Sequence, residues 1–280
     1  MTATWRLTKS LSPEERLDVL HLMNRLETTL GREAIDEARR RVVVHGWSGE
    51  HWLCEDDGKL AQYALVMGDD EATLEMVGGG FNADLLAQVL TMHPVVQWWT
   101  RGPMNQALPS GEVVRMLQLL KVHLPVAVEA VPTGAVLRNF EPDRDADAWL
   151  VQNNAAFAHH PEQGAWSLHD LTERAREPWF DPSGFLVLEL EGALAASCWT
   201  KVHELHPDRF GEIYVISVDP RFQGRGLGRV MVTQGLESLR RKGVADVVLF
   251  VDDSNQPAKK LYESLGFTLQ REDHLVRFHA

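Results

Sequence analysis

The chain has 280 residues, of which 44% are hydrophobic, and this composition fits one large globular domain or two of ordinary size. Its net charge of −12 argues against a nucleic-acid partner, and no segment has the roughly 18 apolar residues of a membrane span or the apolar core of a signal peptide. The two cysteines lie far apart without a CxxC pair, so we expect a cytoplasmic protein with buried thiols and no zinc site.

The first half alternates strand patterns with helical patterns. Ser12 is expected to cap a helix that begins at Pro13, and Asp57-Gly58 to form the turn of a hairpin. The predicted strands are Thr4–Leu7, Trp52–Glu55, Leu60–Met67, Thr73–Val77 and Val95–Trp99, with an extended segment at Pro125–Val131. Further helices are predicted over Arg32–Arg40, Ala83–Leu90 and Met104–Leu119.

The second half repeats this order. Its predicted strands are Val136–Asn139, Phe185–Leu190, Leu194–Lys201, Ile213–Val218 and Val247–Val251, and its predicted helices are Asp145–Phe157, Leu171–Arg176 and Leu227–Lys242. The hairpin glycines Gly58 and Gly192 lie 134 positions apart, and the strand ends Val77 and Val218 lie 141 apart. This near-constant spacing predicts a duplicated α/β fold, with tandem domains at residues 1–134 and 135–280.

The segment from Gly211 to Arg229, GEIYVISVDPRFQGRGLGR, is the first of two motifs. Its β-branched and aromatic beginning favours a buried strand, which Asp219-Pro220 ends. The glycine-rich basic turn that follows leads into a helix. Glycines let backbone N–H groups approach a ligand, and a helix N-terminus adds positive potential, so the turn is suited to phosphate groups. It is neither a Walker A loop nor a Rossmann fingerprint, because GK[ST] and GxGxxG are both missing.

The second motif is the segment from Asn255 to Phe267, NQPAKKLYESLGF. It favours a helix that Asn255 or Ser254 caps, that has Ala258, Leu261 and Leu265 on one apolar face, and that Gly266 ends. The Q-x-R-x-G-x-G loop and this N-x-x-A-x-x-x-Y-x-x-x-G-F segment, in that order, resemble the motifs of the GCN5-related N-acetyltransferases (the GNAT superfamily). The resemblance implies a mixed, mostly antiparallel sheet flanked by helices in each domain. It also implies two splayed parallel strands at the site of the cofactor, acetyl-coenzyme A.

By this resemblance, three groups of residues would bind acetyl-coenzyme A. The end of the strand would pair with the pantetheine arm, the loop would bind the pyrophosphate, and the start of the last helix would flank the arm. These residues are Ile216, Ser217, Val218, Gln223, Gly224, Arg225, Gly226, Leu227, Gly228, Arg229, Asn255, Gln256, Pro257, Ala258, Lys259 and Lys260.

The first copy lacks an equivalent loop. Its strand Thr73–Val77 is followed by Gly78-Gly79-Gly80-Phe81-Asn82, which keeps glycines but has neither the Gln nor the Arg. Since basic side chains and extra N–H donors bind pyrophosphate, we expect the N-terminal half to bind the cofactor weakly or not at all.

Acetyl transfer to an amine needs a base for the amine, a donor for the thioester oxygen and an acid for the departing thiolate. An α-amine has a pKa of about 7.7–8.0, so a modest base suffices. Glu212, at the start of the splayed strand, is the candidate base, acting directly or through a water. Tyr262 is the candidate acid and the Val218 N–H the candidate oxyanion donor. For each residue a noncatalytic role remains the alternative: Glu212 would be an exposed glutamate at the start of a strand, and Tyr262 would pack in the core.

A further resemblance concerns the acceptor. The chain is similar to the tandem-domain mycothiol synthases in the segments from Asn153 to Gly164, Trp199 to His203 and Gly211 to Val215. That family acetylates the cysteinyl α-amine of the pseudo-disaccharide cysteinyl-glucosaminyl-inositol. By position, the acceptor would contact Glu33, Glu162, Lys201, Glu212 and Phe250. The resemblance implies a monomer with this small-molecule substrate.

The histidines near this region leave a metal site as a weaker alternative. His159-His160 and His203-x-x-His206 have suitable residue types, but the transfer itself needs no metal, so we expect none. Two other functions stay open from the sequence. One is an N-acetyltransferase for another small amine or a protein N-terminus, and the other is a noncatalytic acetyl-coenzyme A sensor.

Overall fold

The computed structural model describes residues 4–30, 34–101, 111–158, 164–204 and 209–280, without the side chains of residues 28–30 and 101. The strands are β1 (Trp5–Thr8), β2 (Glu50–Asp56), β3 (Lys59–Met67), β4 (Glu71–Val77), β5 (Val95–Arg101), β6 (Glu112–His123), β7 (Val136–Asn139), β8 (Phe185–Leu190), β9 (Ala193–His203), β10 (Phe210–Val218), β11 (Asp246–Asp252) and β12 (Thr268–His279). The helices are α1 (Pro13–Leu30), α2 (Glu37–His45), α3 (Ala83–Leu90), α4 (Pro142–Ala156), α5 (Leu168–Ala175), α6 (Leu227–Arg241) and α7 (Gln256–Ser264). Within these described ranges, no helix is long and apolar enough to cross a membrane.

All twelve strands form one mixed sheet in the order β1-β2-β3-β4-β5-β12-β6-β11-β10-β9-β8-β7. The pairs β4–β5 and β10–β11 are parallel, and the others are antiparallel. Each strand of the first half has a counterpart in the second half, from β1 and β7 to β6 and β12. Exchanging all counterparts gives the same strand order, read from the opposite edge of the sheet. The predicted α/β fold, with two tandem halves that each contain a mixed sheet and one parallel pair, is confirmed.

Most predicted elements agree with the structure within a few residues. The Ser12 cap of α1 is confirmed, since Ser12 Oγ accepts a hydrogen bond from the Glu15 N–H and Glu15 Oε2 accepts one from the Ser12 N–H. Helix α2 begins at Glu37 rather than at Arg32, because Asp36 accepts a hydrogen bond from the Arg39 N–H and caps the helix there. The segment Pro125–Val131 forms no regular element.

The two strands at the centre of the sheet are the main correction to the sequence-based predictions. The helix predicted over Met104–Leu119 is wrong, because Glu112–His123 is the strand β6; residues 102–110 lie outside the described part. No strand is predicted for β12. In β6, only the end that contains Leu120 and Val122 shows strict alternation of burial. The apolar run before it fits a helix or a strand equally well, so periodicity cannot separate them.

These central strands are exchanged between the halves. The final strand β12 lies between β5 and β6, with His274 opposite both Thr100 and Met116. In turn β6 pairs with β11, where Leu120 lies opposite Leu249. Backbone hydrogen bonds therefore run without interruption from the first half into the second.

Helix α6 packs very closely on β9 and β10, and this contact holds the loop that precedes the helix. A Cβ atom at Gly235 would lie 2.5 Å from Cys198 Sγ, and one at Gly211 would lie 2.8 Å from Leu239 Cδ1. A larger residue at either position would push the helix away from the sheet. The N-terminus of α6 is thus fixed beside the C-terminal end of β10.

A buried histidine in the first half gives a testable property of the fold. His93 Nε2 lies 2.8 Å from Glu50 Oε2, and its Nδ1 lies 2.8 Å from the Asp69 carbonyl oxygen. Burial alone would lower the pKa of His93, but the hydrogen bonds to Glu50 and Asp69 raise it above its ordinary value. Charged His93 is therefore more stable in the folded chain than in the unfolded one.

We expect this pair to stabilise the fold fully below the ordinary histidine pKa of about 6.5 and to lose that contribution as the pH rises through the higher pKa of the folded state. Urea unfolding of wild type and His93→Gln between about pH 5.5 and 9 measures the difference in free energy, which should shrink with rising pH. The control is His123→Gln, which removes an exposed histidine and leaves the buried pair intact. A His93 difference that grows with pH would show that the pKa is lowered instead.

Candidate active site

The candidate site lies where β10 and β11 separate. These parallel strands pair at Gly211–Val247 and Glu212–Val248, yet β10 continues to Val218 and β11 to Asp252. Among the described residues, β10 beyond Glu212 has register partners on β9 alone. A gap that widens towards the C-terminal ends therefore opens between the strands, and the predicted splay is confirmed.

The backbone of β10 presents hydrogen-bonding groups to this gap. The Asp219 N–H donates to the Ala195 carbonyl oxygen at 2.9 Å, so Val218 and its partner Ala196 form a non-hydrogen-bonded pair. In such a pair the N–H and C=O groups point away from the partner strand. Those of Val218, and by alternation those of Ile216, therefore point into the gap, where an extended ligand can pair with them.

The intervening residue Ser217 belongs to a buried polar network on the α4 side of the sheet. Its hydroxyl lies 2.9 Å from Ser197 Oγ and donates to Gln152 Oε1 at 3.1 Å. Ser197 also accepts a hydrogen bond from the indole N–H of Trp149 at 2.9 Å. Because these groups are buried and mutually bonded, the network holds the edge of the gap in one conformation.

A β-bulge at Tyr214 decides which side chains face the acceptor side of the sheet. The register of β10 against β9 shifts between Ile213 and Val215, so Tyr214 is the extra residue. One extra residue reverses the alternation of side chains, and Glu212 shares a face with Val215 and Ser217. The side chains of the gap-forming residues pack on the opposite face, against the core under α6.

The glycine-rich loop connects the gap to α6. Gln223 Nε2 donates to the Val218 carbonyl oxygen at 3.2 Å and ties the loop to the strand. Gly224 and Gly226 have φ of 76° and 79°, a region that favours glycine, and a Cβ at either would meet no atom within 4 Å. Gly226 is the N-cap residue of α6, and no side chain caps this helix. Its first N–H groups are thus available to an anion.

The basic side chains of the loop lie at the surface beside this helix end. Arg225 pairs with Glu191 at 2.7 Å and is 47% exposed, and Arg229 pairs with Glu129 at 2.6 Å and is 38% exposed. Exposed pairs of this kind contribute about 0–1 kcal/mol, so a phosphate can replace either acidic partner at little cost.

Helix α7 forms the opposite wall of the gap. Asn255 caps it by accepting a hydrogen bond from the Ala258 N–H at 3.2 Å, as the sequence predicts. A Cβ at Gly228 would lie 3.5 Å from Leu261 Cδ2, and Arg229 Nη1 donates to Ser264 Oγ at 2.7 Å. These contacts place the C-terminal half of α7 against the start of α6, so α7 lies next to the helix end that follows the loop.

Tyr262 on α7 lies under the gap and is 6% exposed. Its ring packs against Phe267, with 5.6 Å between ring centroids, and no described residue forms a hydrogen bond with its hydroxyl. Burial and the neighbouring Cys198 raise the pKa of the Tyr262 phenol. The phenol therefore stays protonated at neutral pH, as a proton donor must.

Glu212 lies at the mouth of the gap. It is opposite Lys201 on β9 and Val248 on β11, and its side chain is 13% exposed. Oε2 lies 2.6 Å from His203 Nε2, whereas no described residue forms a hydrogen bond with Oε1. One oxygen of this carboxylate is therefore open to a ligand.

A cluster of charged and aromatic side chains adjoins Glu212 and joins the two halves. Lys201 Nζ lies 3.6 Å from Glu37 Oε2, and Arg174 Nη1 donates to Glu37 Oε1 at 3.0 Å. The Lys201 ammonium also lies 4.8 Å from the ring centroid of Trp179 and 5.8 Å from that of Tyr214. Burial, together with the charge of Glu37, raises the pKa of Tyr214. The cluster combines donors and acceptors suited to an acceptor rich in hydroxyl groups.

Ion pairs between α2 and the α5 region close one side of this cluster. Arg41 Nη2 lies 3.8 Å from Glu173 Oε2, and Arg41 Nε lies 3.8 Å from Glu177 Oε1. With Glu37–Arg174 they link the two halves directly beside Glu212. The two halves are therefore in direct contact beside this cluster.

The remaining predicted acceptor residues are placed as follows. Glu33 and Glu162 lie outside the described residues, as do His159, His160 and His206. Phe250 is 45% exposed on β11, on the same face as Val248 and hence as Glu212.

Two neighbours of Glu212 were not predicted to be part of the site from the sequence. Glu37 comes from the other half, and only its position after the helix cap Asp36 distinguishes it. His203 was considered only as a metal ligand, although its position two residues from Lys201 on one strand face places it next to Glu212.

The first half repeats the gap but not the open helix end. There β4 and β5 pair from Glu71–Val95 to Leu74–Trp98 and then separate. The following helix, α3, is capped by Asn82, whose side chain accepts a hydrogen bond from the Leu85 N–H at 2.9 Å. A side chain therefore caps α3, whereas no side chain caps α6.

Comparison with known proteins identifies related chains. The model of the acetyltransferase (GNAT) family matches residues 151–267. A mycothiol acetyltransferase of Thermobispora bispora is 42% identical over 285 residues, covering 95% of this chain and 97% of that protein. The mycothiol acetyltransferase of Streptomyces griseus is 35% identical over 96% of this chain and 93% of its own length.

Solved structures share the fold over the whole chain. A tandem GNAT protein from the clavulanic acid biosynthesis pathway superposes with a TM-score of 0.70, covering 99% of this chain and 98% of that chain at 15% identity. A GCN5-related N-acetyltransferase from Sphaerobacter thermophilus gives a TM-score of 0.67 over 98% of this chain and 95% of that chain at 19% identity.

The open end of α6 predicts how a single charge changes cofactor binding. In Gly226→Asp, a carboxylate occupies the place of a phosphate and repels the others, so the KM for acetyl-coenzyme A should rise about tenfold. Gly226→Asn is the matched control, because asparagine has the same shape and tolerates positive φ but carries no charge. Equal KM values for the two variants would mean that the cofactor phosphates do not bind at this helix end.

Proposed function

We propose that this chain, which belongs to the mycothiol acetyltransferase family within the GNAT superfamily, transfers the acetyl group of acetyl-coenzyme A to the cysteinyl α-amine of cysteinyl-glucosaminyl-inositol. The products are mycothiol and coenzyme A. The observation that carries this proposal is the position of Glu212. It lies between the mouth of the β10–β11 gap and a cluster of side chains contributed by both halves of the chain.

The shape and chemistry of this cluster support a small polar acceptor. A protein N-terminus or a long polycation needs an open groove, whereas here α2 and α5 are joined by the ion pair Glu37–Arg174 beside Lys201. Glu37 and Lys201 offer acceptors and donors to sugar and inositol hydroxyls. We assign Glu33, Glu162 and Phe250 to the same acceptor site as a proposal from sequence position.

The proposed reaction begins with the acceptor amine. Its ammonium form gives a proton to Glu212, directly or through a water, and the nitrogen lone pair then attacks the thioester carbonyl carbon. A new C–N bond forms, and the carbonyl oxygen takes up negative charge. The N–H of Val218 points into the gap and supplies a hydrogen bond to that oxygen.

The second step releases coenzyme A. The tetrahedral intermediate collapses, the C–S bond breaks, and its electron pair remains on sulfur. Tyr262 gives its phenolic proton to this thiolate and recovers a proton from solvent. The nitrogen loses its remaining extra proton to solvent, and Glu212 releases there the proton that it took from the ammonium. The products are the acetamide and the free thiol, so atoms and charge balance.

We also propose a division of labour between the halves. Residues 135–280 bind the cofactor through Ile216–Val218, Gln223–Arg229 and Asn255–Lys260, and residues 1–134 complete the acceptor cleft through Glu37. The bonded cap of α3 supports the expectation that the first half binds acetyl-coenzyme A weakly or not at all.

The product assay tests the function itself. The purified chain, incubated with acetyl-coenzyme A and cysteinyl-glucosaminyl-inositol, should give a product heavier by one acetyl group, which mass spectrometry detects without interference from thiols. Glu212→Ala should lower kcat about 10²–10⁴-fold, the usual contribution of a general base. Glu237→Ala, on the outer side of α6, is the control and should stay near wild type. Absence of product with wild type would exclude this acceptor and direct the search to other small amines.

The acid is tested separately. Tyr262→Phe keeps the ring that packs against Phe267 but removes the proton donor. We expect kcat to fall about 10–100-fold, because the thiolate of a thiol with a pKa of about 8.5 is a fair leaving group without protonation. The matched control is Tyr63→Phe in the first half, which removes another buried hydroxyl, hydrogen bonded to His51. It should lower stability but leave kcat unchanged. Full turnover by Tyr262→Phe would refute the acid role.

A further inference from the structure

We propose that His203 is a positioning residue for the catalytic carboxylate: its Nε2–H donates to Glu212 Oε2 and directs Oε1 towards the acceptor amine. This inference rests on the proposed function and extends it to a residue that contacts neither the cofactor nor the amine. It follows from the geometry of the pair, from the packing of the imidazole, and from the hydrogen-bonding state of the two carboxylate oxygens.

The strand register brings the two side chains together. Phe210 lies directly opposite His203, and Glu212 lies directly opposite Lys201. All four side chains share one face, so His203 is the diagonal neighbour of Glu212 at a distance that long side chains can bridge. The Nε2–Oε2 separation of 2.6 Å is that of a short charge-assisted hydrogen bond.

The imidazole is held firmly. Its ring stacks on Phe210, with 4.5 Å between ring centroids and 11° between ring planes, and its side chain is 7% exposed. A stacked, buried ring has few alternative rotamers. The hydrogen bond therefore transfers the rigidity of the strand pair to the Glu212 carboxylate, which would otherwise rotate about three side-chain torsions.

The two oxygens of Glu212 then have different tasks. Oε2 is occupied by His203, and Oε1 has no described hydrogen-bond partner. An amine proton or a bridging water can therefore bond to Oε1 without competing with His203. Among the described residues, the charged or titratable groups of the adjoining cluster are Lys201, Tyr214, Glu37 and Arg174, and they bond or pack with one another. Among these groups, His203 alone bonds to the carboxylate.

The contrast between two amide variants tests this role. The glutamine Nε2 can occupy the place of the imidazole Nε2, whereas asparagine is one methylene shorter and cannot donate to Glu212. We expect His203→Gln to retain kcat within about threefold and His203→Asn to lose about 10²-fold, the usual cost of misplacing a catalytic group by about 1 Å. The KM for acetyl-coenzyme A should stay unchanged in both variants, because the loop and α7 are not disturbed.

His93→Gln is the matched control, since it changes another buried histidine that bonds a glutamate but lies in the first half. It should leave kcat at the wild-type value. Equal losses in His203→Gln and His203→Asn, or a loss confined to the KM for acetyl-coenzyme A, would overturn the positioning role and leave His203 as a packing residue.

A spectroscopic measurement tests the positioning role of His203 without an activity assay. Long-range ¹H–¹⁵N spectra of the wild-type chain at neutral pH should show the His203 imidazole protonated at Nε2, and this fixed state should be lost in Glu212→Ala. A neutral ring protonated at Nδ1 would mean that Nε2 accepts rather than donates, which overturns the proposal. If wild type forms no product with cysteinyl-glucosaminyl-inositol, the acceptor assignment fails, while the imidazole spectrum still decides the role of His203.

Discussion

The separation of β10 from β11 after Glu212 is the constraint on which the rest of the site depends. Buried backbone N–H and C=O groups are costly to leave unbonded, at about 1–3 kcal/mol each, and the two strands cannot supply partners to each other in the gap. Apart from the Val218 carbonyl, which accepts a hydrogen bond from Gln223, the groups of Ile216 and Val218 therefore form an incomplete strand edge that an extended ligand can complete. The interior of the sheet becomes a binding site because a ladder of hydrogen bonds is left unfinished there.

The structure around the gap keeps it open. On one side, Gly211 and Gly235 let α6 pack closely against β9 and β10, which holds β10 in position. On the other side, α7 packs against the start of α6 through Leu261 and Ser264. The bulge at Tyr214 then separates the two proposed functions along one strand, because Glu212 before it faces the proposed acceptor site, whereas Ile216 and Val218 after it point their backbone groups into the proposed cofactor site.

The sequence predicts the parts of the site that depend on local chemistry. Positive-φ glycines at 224 and 226, the Asn255 cap and the apolar face of α7 each leave a signal within a few residues, and all are present. Glu37 and His203 leave no such signal. Glu37 joins the cluster because of how the two halves pack, and His203 bonds to Glu212 because of a strand register. Both depend on contacts that are distant in sequence, so local patterns cannot predict them.

Pairing between distant segments also explains why the central strands β6 and β12 were not predicted, and it has a consequence for biosynthesis. Strand β12 lies between β5 and β6, and its residue His279 pairs with Val95. The rest of the second half therefore separates β12 along the chain from the two strands that it joins. Until β12 leaves the ribosome, the nascent first half has one bare edge on β5 and another on β6. Exposed edges of this kind recruit other strands. The sheet can close only after β12 has been synthesised, and loss of β12 would leave two unpaired edges at the centre of the sheet rather than trim its border.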